Sequence, residues 1–310
     1  ACFVSALFIC GAGGYMLNKK QFNLAFITIG WDYFQVLAFF STIDVEWPTV
    51  VLDFFDVLKF FSFDIDIAAP ECLSPNITYE MKWTLTMIVP LVVSALALIY
   101  WIFAYCYKRF VRKYRASSIV YSHTDMVIAS IFLMMYYGYL PLTEKVIEIF
   151  NCSELDPSDG FEYTSWTSSS CSGGICKCWE KGTVQMELVP YAAFFAVVYV
   201  LAYPLVVVWV IVTYKRLIKL DQILRAMGTG DDLASNPEAY HVRARYHKIY
   251  YAFKPGKIFW ILVILSRKFC LGIASLIFAD SPSFALAFVL LMLFVNYMLQ
   301  VQNRPFMSTS

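Results

Sequence analysis

Long apolar runs of roughly twenty residues, parted by loops whose charge alternates in sign, constrain this chain more than anything else in it. A helix needs about 20 mostly apolar residues to cross a hydrocarbon layer of roughly 30 Å. At that depth only a helix or a closed barrel satisfies its own backbone. We place seven spans: residues 1–17, about 22–43, 83–107, about 122–147, 188–213, 257–279 and 283–302. Pro90, Pro141, Pro190 and Pro204 lie in or near them, where neighbouring helices re-satisfy the carbonyls that a proline frees. The expected fold class is all-α, a polytopic transmembrane helical bundle in one domain. Composition agrees: 60% of residues are apolar and 15% charged, against about 25% charged in a soluble domain. With 27 Phe, 21 Tyr and 8 Trp the chain is neither disordered nor fibrous. A net charge of +1 gives no reason to expect nucleic acid. The run at 1–17 lacks the basic start and cleavage site of a signal peptide. Apolar runs at both termini suggest a piece of a larger protein.

Basic residues set the orientation. Lys19 and Lys20 follow the first span; Lys108, Arg109, Arg112, Lys113 and Arg115 follow the third. A basic segment, 214–257, follows the fifth, and Arg304 the seventh. The intervening loops, 44–82 and 144–187, hold most of the acids. By the positive-inside bias, the start lies outside and the end in the cytoplasm. On the outer side, Asn76-Ile77-Thr78 is a glycosylation sequon, though a bare sequon also arises by chance. Cys72, Cys152, Cys171, Cys176 and Cys178 face the same oxidising side, where disulfides are the default. Their odd number leaves one free, or paired with another part or subunit. No His accompanies them, so we expect no metal site and no cofactor. Cys106 and Cys270 read as packing residues within spans.

Two segments between spans are amphipathic. Residues 47–67 carry Asp53, Asp56 and Lys59 at helical spacing among Val, Leu and Phe. They read as a helix in the outer interface or one buried beneath the outer loops. In 214–257, a basic helix continues the fifth span and a loop follows. Arg243, Arg245, His247, Lys248 and Lys254 then alternate with aromatic rings. That strip fits lipid headgroups, or ordinary positive-inside charge. Membrane lipids are therefore the first expected partners.

Charges at membrane depth are the candidate site. Arg267 and Lys268 lie near the middle of the sixth span, Asp32 near the middle of the second, and Asp125 near the inner end of the fourth. Each costs at least about 2.5–3.5 kcal/mol to insert, so each needs protein or water around it. Asp32 is expected to pair with Arg267 or Lys268. The pair is then an element of a hydrated pathway or gate, or a static clip; alternatively both cations snorkel to the inner face. No HExxH, GxSxG, P-loop or GxGxxG occurs, so no enzyme activity is expected.

The strings WPTVV (47–51), IDIAAPEC (65–72), YEMKW (79–83), RARYHKIYYAFKP (243–255), RKFCLG (267–272) and LQVQNRPFM (299–307) occur in this order. Together they resemble the C-terminal membrane region of very large algal and protist surface proteins with cysteine-rich, ephrin-receptor-like ectodomains. RKFCLG followed by a span ending in NRPF is also loosely similar to the fungal TRP-like, polycystin-like family. The resemblance implies a plasma-membrane or ciliary protein, a channel-related role, and other subunits or extracellular structural proteins as partners. Three functions compete: a channel-like domain, a non-conducting anchor for extracellular material, and a seven-helix receptor. Against the last, the third span ends without an acidic–Arg–aromatic triplet and the seventh without Asn-Pro-x-x-Tyr.

Overall fold

A computed structural model describes residues 24–43, 45–58, 78–111, 116–154, 159–168, 171–230, 233–278 and 281–307. The expected first span, residues 59–67 of the outer helix, Cys72 and Asn76 lie outside the described residues. The helices are α1 (Leu24–Phe39), α2 (Thr49–Leu58), α3 (Tyr79–Cys106), α4 (Ala116–Glu148), α5 (Val184–Phe195), α6 (Ala202–Ala226), α7 (Tyr240–Tyr250), α8 (Trp260–Ile277) and α9 (Pro282–Asn303). A π-helical stretch, Ala196–Leu201, joins α5 to α6. Among the described residues, four helical segments are long and apolar enough to cross a membrane: Tyr79–Val111, Val127–Glu148, Val184–Ala226 and Pro282–Asn303. Helices also form where the second and sixth spans were expected. α1 has 16 residues and α8 has 18, about 24 and 27 Å at 1.5 Å per residue.

Expecting helices alone needs one correction. Within 150–187 the chain forms a three-stranded antiparallel sheet in the order β1 (Cys152–Glu154), β2 (Glu162–Thr167), β3 (Ile175–Lys177). Thr164 and Trp166 are buried while Ser165 and Thr167 are exposed, the two-residue alternation of a half-buried strand. Two disulfides tie the sheet, Cys152–Cys178 and Cys171–Cys176. The two free cysteines among the described residues are Cys106, which is exposed, and Cys270, which is half-buried. Exposure removes the packing role expected of Cys106.

Two of the four prolines in or near the expected spans, Pro141 and Pro204, act as anticipated. Pro204 has no N–H to give the Val200 carbonyl one turn back, and the Tyr139 hydroxyl of α4 donates to that oxygen at 3.1 Å. Pro141 likewise frees the Tyr137 carbonyl, which the Gln35 amide of α1 fills at 2.7 Å. α8 approaches α4 closely at Gly272, where a Cβ would meet Thr143 Cγ2 at 2.9 Å. Small residues permit such helix approaches in membranes.

The acidic, cysteine-bearing loop and the basic segment sit at opposite ends of the bundle. At one end the Tyr79 ring stacks on Trp166 at 4.1 Å. There also Ser168 donates to Glu80 at 2.8 Å and the Trp83 indole donates to the Lys145 carbonyl at 2.8 Å. At the other end α7 lies against α4 and α6, its Val242, Tyr246, Ile249 and Tyr250 buried as one stripe. Residues 252–254 there pair with 305–307: Lys254 N–H donates to the Pro305 carbonyl at 2.8 Å and Met307 N–H to that of Ala252 at 3.0 Å.

Candidate functional site

Three buried helical stripes meet at mid-height. On α1 the stripe is Asp32, Gln35, Val36 and Phe39; on α4 it is Tyr136, Tyr139, Leu140 and Thr143. On α8 it is Ile261, Ile264, Leu265, Lys268 and Leu271. Each is apolar apart from groups that fall at the same level. Tyr136 lies about 16 Å along α4 from Asp125 and about 13 Å from Lys145 by helical rise, so the junction is near the middle of that span.

Lys268 is 0% exposed and Asp32 is 5% exposed. Lys268 Nζ lies 2.8 Å from Asp32 Oδ1. It also donates to Gln35 Oε1 at 3.1 Å and to the Tyr136 carbonyl at 3.2 Å. The Tyr136 hydroxyl donates to Asp32 Oδ2 at 2.5 Å. Arg267 stands one residue off the buried stripe, with Nη2 4.0 Å from Asp32 Oδ2. Its Nε is buried without a hydrogen-bond partner among the described residues. The structure therefore brings Asp32, Arg267 and Lys268 together, and both cations turn toward protein.

Asp125 belongs to a different contact. Buried near the start of α4, it receives Arg245 Nε of α7 and lies 3.3 Å from His241 Nδ1. The remaining cations of the basic strip are half-buried. Arg243 donates to the Gly230 carbonyl and stands 3.7 Å from Asp221. His247 Nδ1 is 2.9 Å from the Arg243 carbonyl. Burial, with Lys248 next in importance, pushes His247 down to about 4. Burial alone pushes Lys248 down to about 8. The hydrogen bond from Arg245 to Asp125 holds that guanidinium above its ordinary value. Lys254 contributes its backbone to the pairing with Pro305.

Asp221 did not stand out in the sequence, where it lies within the basic 214–257 segment. It is fully buried on α6, accepting from Asn236 at 2.8 Å and from the Tyr250 hydroxyl at 2.9 Å. The signal was present: Asp221 and Gln222 follow Ile218 by three and four residues, on the apolar face of a basic helix. Gln222 completes the joint by donating to the Tyr250 and Phe253 carbonyls at 3.1 and 2.9 Å. Gln35 and Tyr136 were also missed, because neither is charged at neutral pH. Asn296 of α9 is spent within its own helix, donating to the Met292 carbonyl at 2.7 Å. No group of His, Cys, Asp and Glu suited to a metal ion occurs among the described residues. No family model, no curated protein and no solved structure matches this chain.

Proposed function

We propose that this chain is the integral membrane domain of a large cell-surface protein and works as a channel-like module, with the Asp32–Arg267–Lys268 cluster as its gating element. The observation that carries it is one buried carboxylate facing two cations at mid-height. A static clip needs one cation per carboxylate. A second cation at that depth adds a further insertion cost of about 2.5–3.5 kcal/mol. Asp32 within reach of both cations makes two discrete pairings of α1 with α8, the kind of bistable element that gating requires. The resemblance to TRP-like proteins supports the same reading.

The proposal includes seven spans, with α1 and α8 among them and residues 1–17 as the first. The disulfide-tied sheet, Cys72 and a glycan on Asn76 face outward from a plasma membrane, and α7 faces the cytoplasm. α2 lies in the outer interface: its Val50, Leu52, Phe54 and Val57 are exposed while Phe55 and Leu58 are buried. The test is current through planar bilayers containing the purified chain, under voltage and stretch. Conductance altered by Asp32→Asn supports the proposal. Folded, inserted protein that passes no current overturns it.

A second reading, a non-conducting anchor, has its own support. The outer sheet is braced by two disulfides and seated on helix ends through Tyr79 and Trp166. That is the construction of a rigid platform for extracellular material. It is the reading that survives an absence of current.

A further inference from the structure

The long helix through α5 and α6 changes chemistry along a single exposed face. Leu201, Leu205, Trp209 and Val212 are more than half exposed. They recur at spacings of three and four residues and so form one stripe. Arg216, Lys219 and Ile223 continue that stripe, Lys215 flanks it, and all four are exposed. The backbone bends where the change occurs, at Tyr214 (φ −103°, ψ 15°). The opposite face of this segment, Ile218, Asp221 and Gln222, is buried. Its single acid is therefore turned away from the cations.

An apolar stripe on a spanning helix meets lipid tails. One turn further along, the same stripe meets headgroups, and Trp209 stands at the boundary where aromatic rings sit at that level. Lys and Arg there keep their stems along the apolar surface and their charges in the polar layer. Arg243 and Arg245 of α7 differ, because Asp221 and Asp125 already stand against them. We infer that Lys215, Arg216 and Lys219 form a docking surface for an anionic phospholipid of the adjoining leaflet. A lipid is the occupant because the headgroup surface is continuous with a surface for its tails. The inference rests on the membrane-spanning placement of Val184–Ala226.

The test reconstitutes the full chain into phosphatidylcholine vesicles doped with phosphatidylserine. Flotation of protein with vesicles is scored first, and lipid retained on the extracted protein is then counted by native mass spectrometry. The expected result is phosphatidylserine enriched over its bulk share. That enrichment falls roughly tenfold or more in Lys215→Gln/Arg216→Gln/Lys219→Gln, while Lys181→Gln, at the other end, keeps it. Protein that floats but shows no enrichment, or equal enrichment in the triple variant, overturns the inference and leaves the spanning reading intact. Enrichment abolished by excess inorganic phosphate overturns it too, since the site then recognises the ion and not the lipid. Protein that does not float overturns both.

Discussion

Lys268 shows how a cation is made tolerable deep inside a helical bundle. Its ammonium pairs with a carboxylate and donates to an amide oxygen and a backbone carbonyl, each from a different residue of the neighbouring helices. A carboxylate shared by two cations has an unequal dependence on its partners. Asp32→Asn strands both, and loss of a buried partner costs about 3–5 kcal/mol. Lys268→Met leaves Asp32 with Arg267 and therefore destabilises less. Thermal unfolding of the purified chain in detergent measures the difference. Equal losses, or a larger loss for Lys268→Met, would mean that Arg267 contributes nothing to Asp32. At this scale the charged members were legible, because a charge within an apolar run is conspicuous. Gln35 and Tyr136 were not, because their roles depend on which helices adjoin. The Tyr137 carbonyl that seats Gln35 is open only because Pro141 lies one turn on.

Helices and the sheet are held by different means. The Cys152–Cys178 bridge spans 26 residues and Cys171–Cys176 spans 5. Chain entropy assigns them about 3.5 and 2 kcal/mol. Cys152→Ser/Cys178→Ser therefore lowers the stability of the three-stranded sheet more than Cys171→Ser/Cys176→Ser does, as read from hydrogen exchange at residues 162–167. α7 is held by its buried stripe together with Asp125 and Asp221, and its stability carries a sign in pH. The His247 ring falls from 6.5 to about 4 on folding. Between those values the unfolded chain binds a proton that the folded chain refuses, so stability is present above about 6.5 and is lost as pH falls toward 4. Lys248, lowered from 10.5 to about 8, gives a further rise in stability as pH climbs between those values. Hydrogen exchange of α7 across the acid window checks this. His247→Gln removes the acid slope, whereas a slope unchanged in that variant assigns it to another group. The basic strip of α7 also shows the limit of reading an element alone. Its charges suggested a surface, yet Val242, Tyr246, Ile249 and Tyr250 form a buried stripe against α4 and α6.

The whole molecule separates two chemistries by the length of its helices. Val184–Ala226 runs 43 residues, about 64 Å by helical rise, long enough to carry the disulfide-tied sheet at one end and the basic joint at the other. Reagents confined to one compartment of sealed vesicles are expected to label Cys at Glu162→Cys from one side and at Lys219→Cys from the other. Labelling of both from a single side would dismantle the spanning architecture.

Amino-acid order by itself determined that most of this chain is apolar helix. It also determined that the basic and cysteine-bearing loops lie apart, and that Asp32, Arg267 and Lys268 stand as conspicuous charges within apolar runs. These are properties of local composition and helical period, which each segment carries wherever it sits. Tertiary structure alone decided that Asp32 serves two cations, that Asp125 and Asp221 hold the basic helix, and that the cysteine-bearing loop is a bridged sheet. Such pairings join residues that are not sequence neighbours, as with Asp221 and Tyr250, 29 positions apart, and Asp125 and Arg245, 120 apart, and the physical reason is contact: a partner is chosen by which stripes face one another.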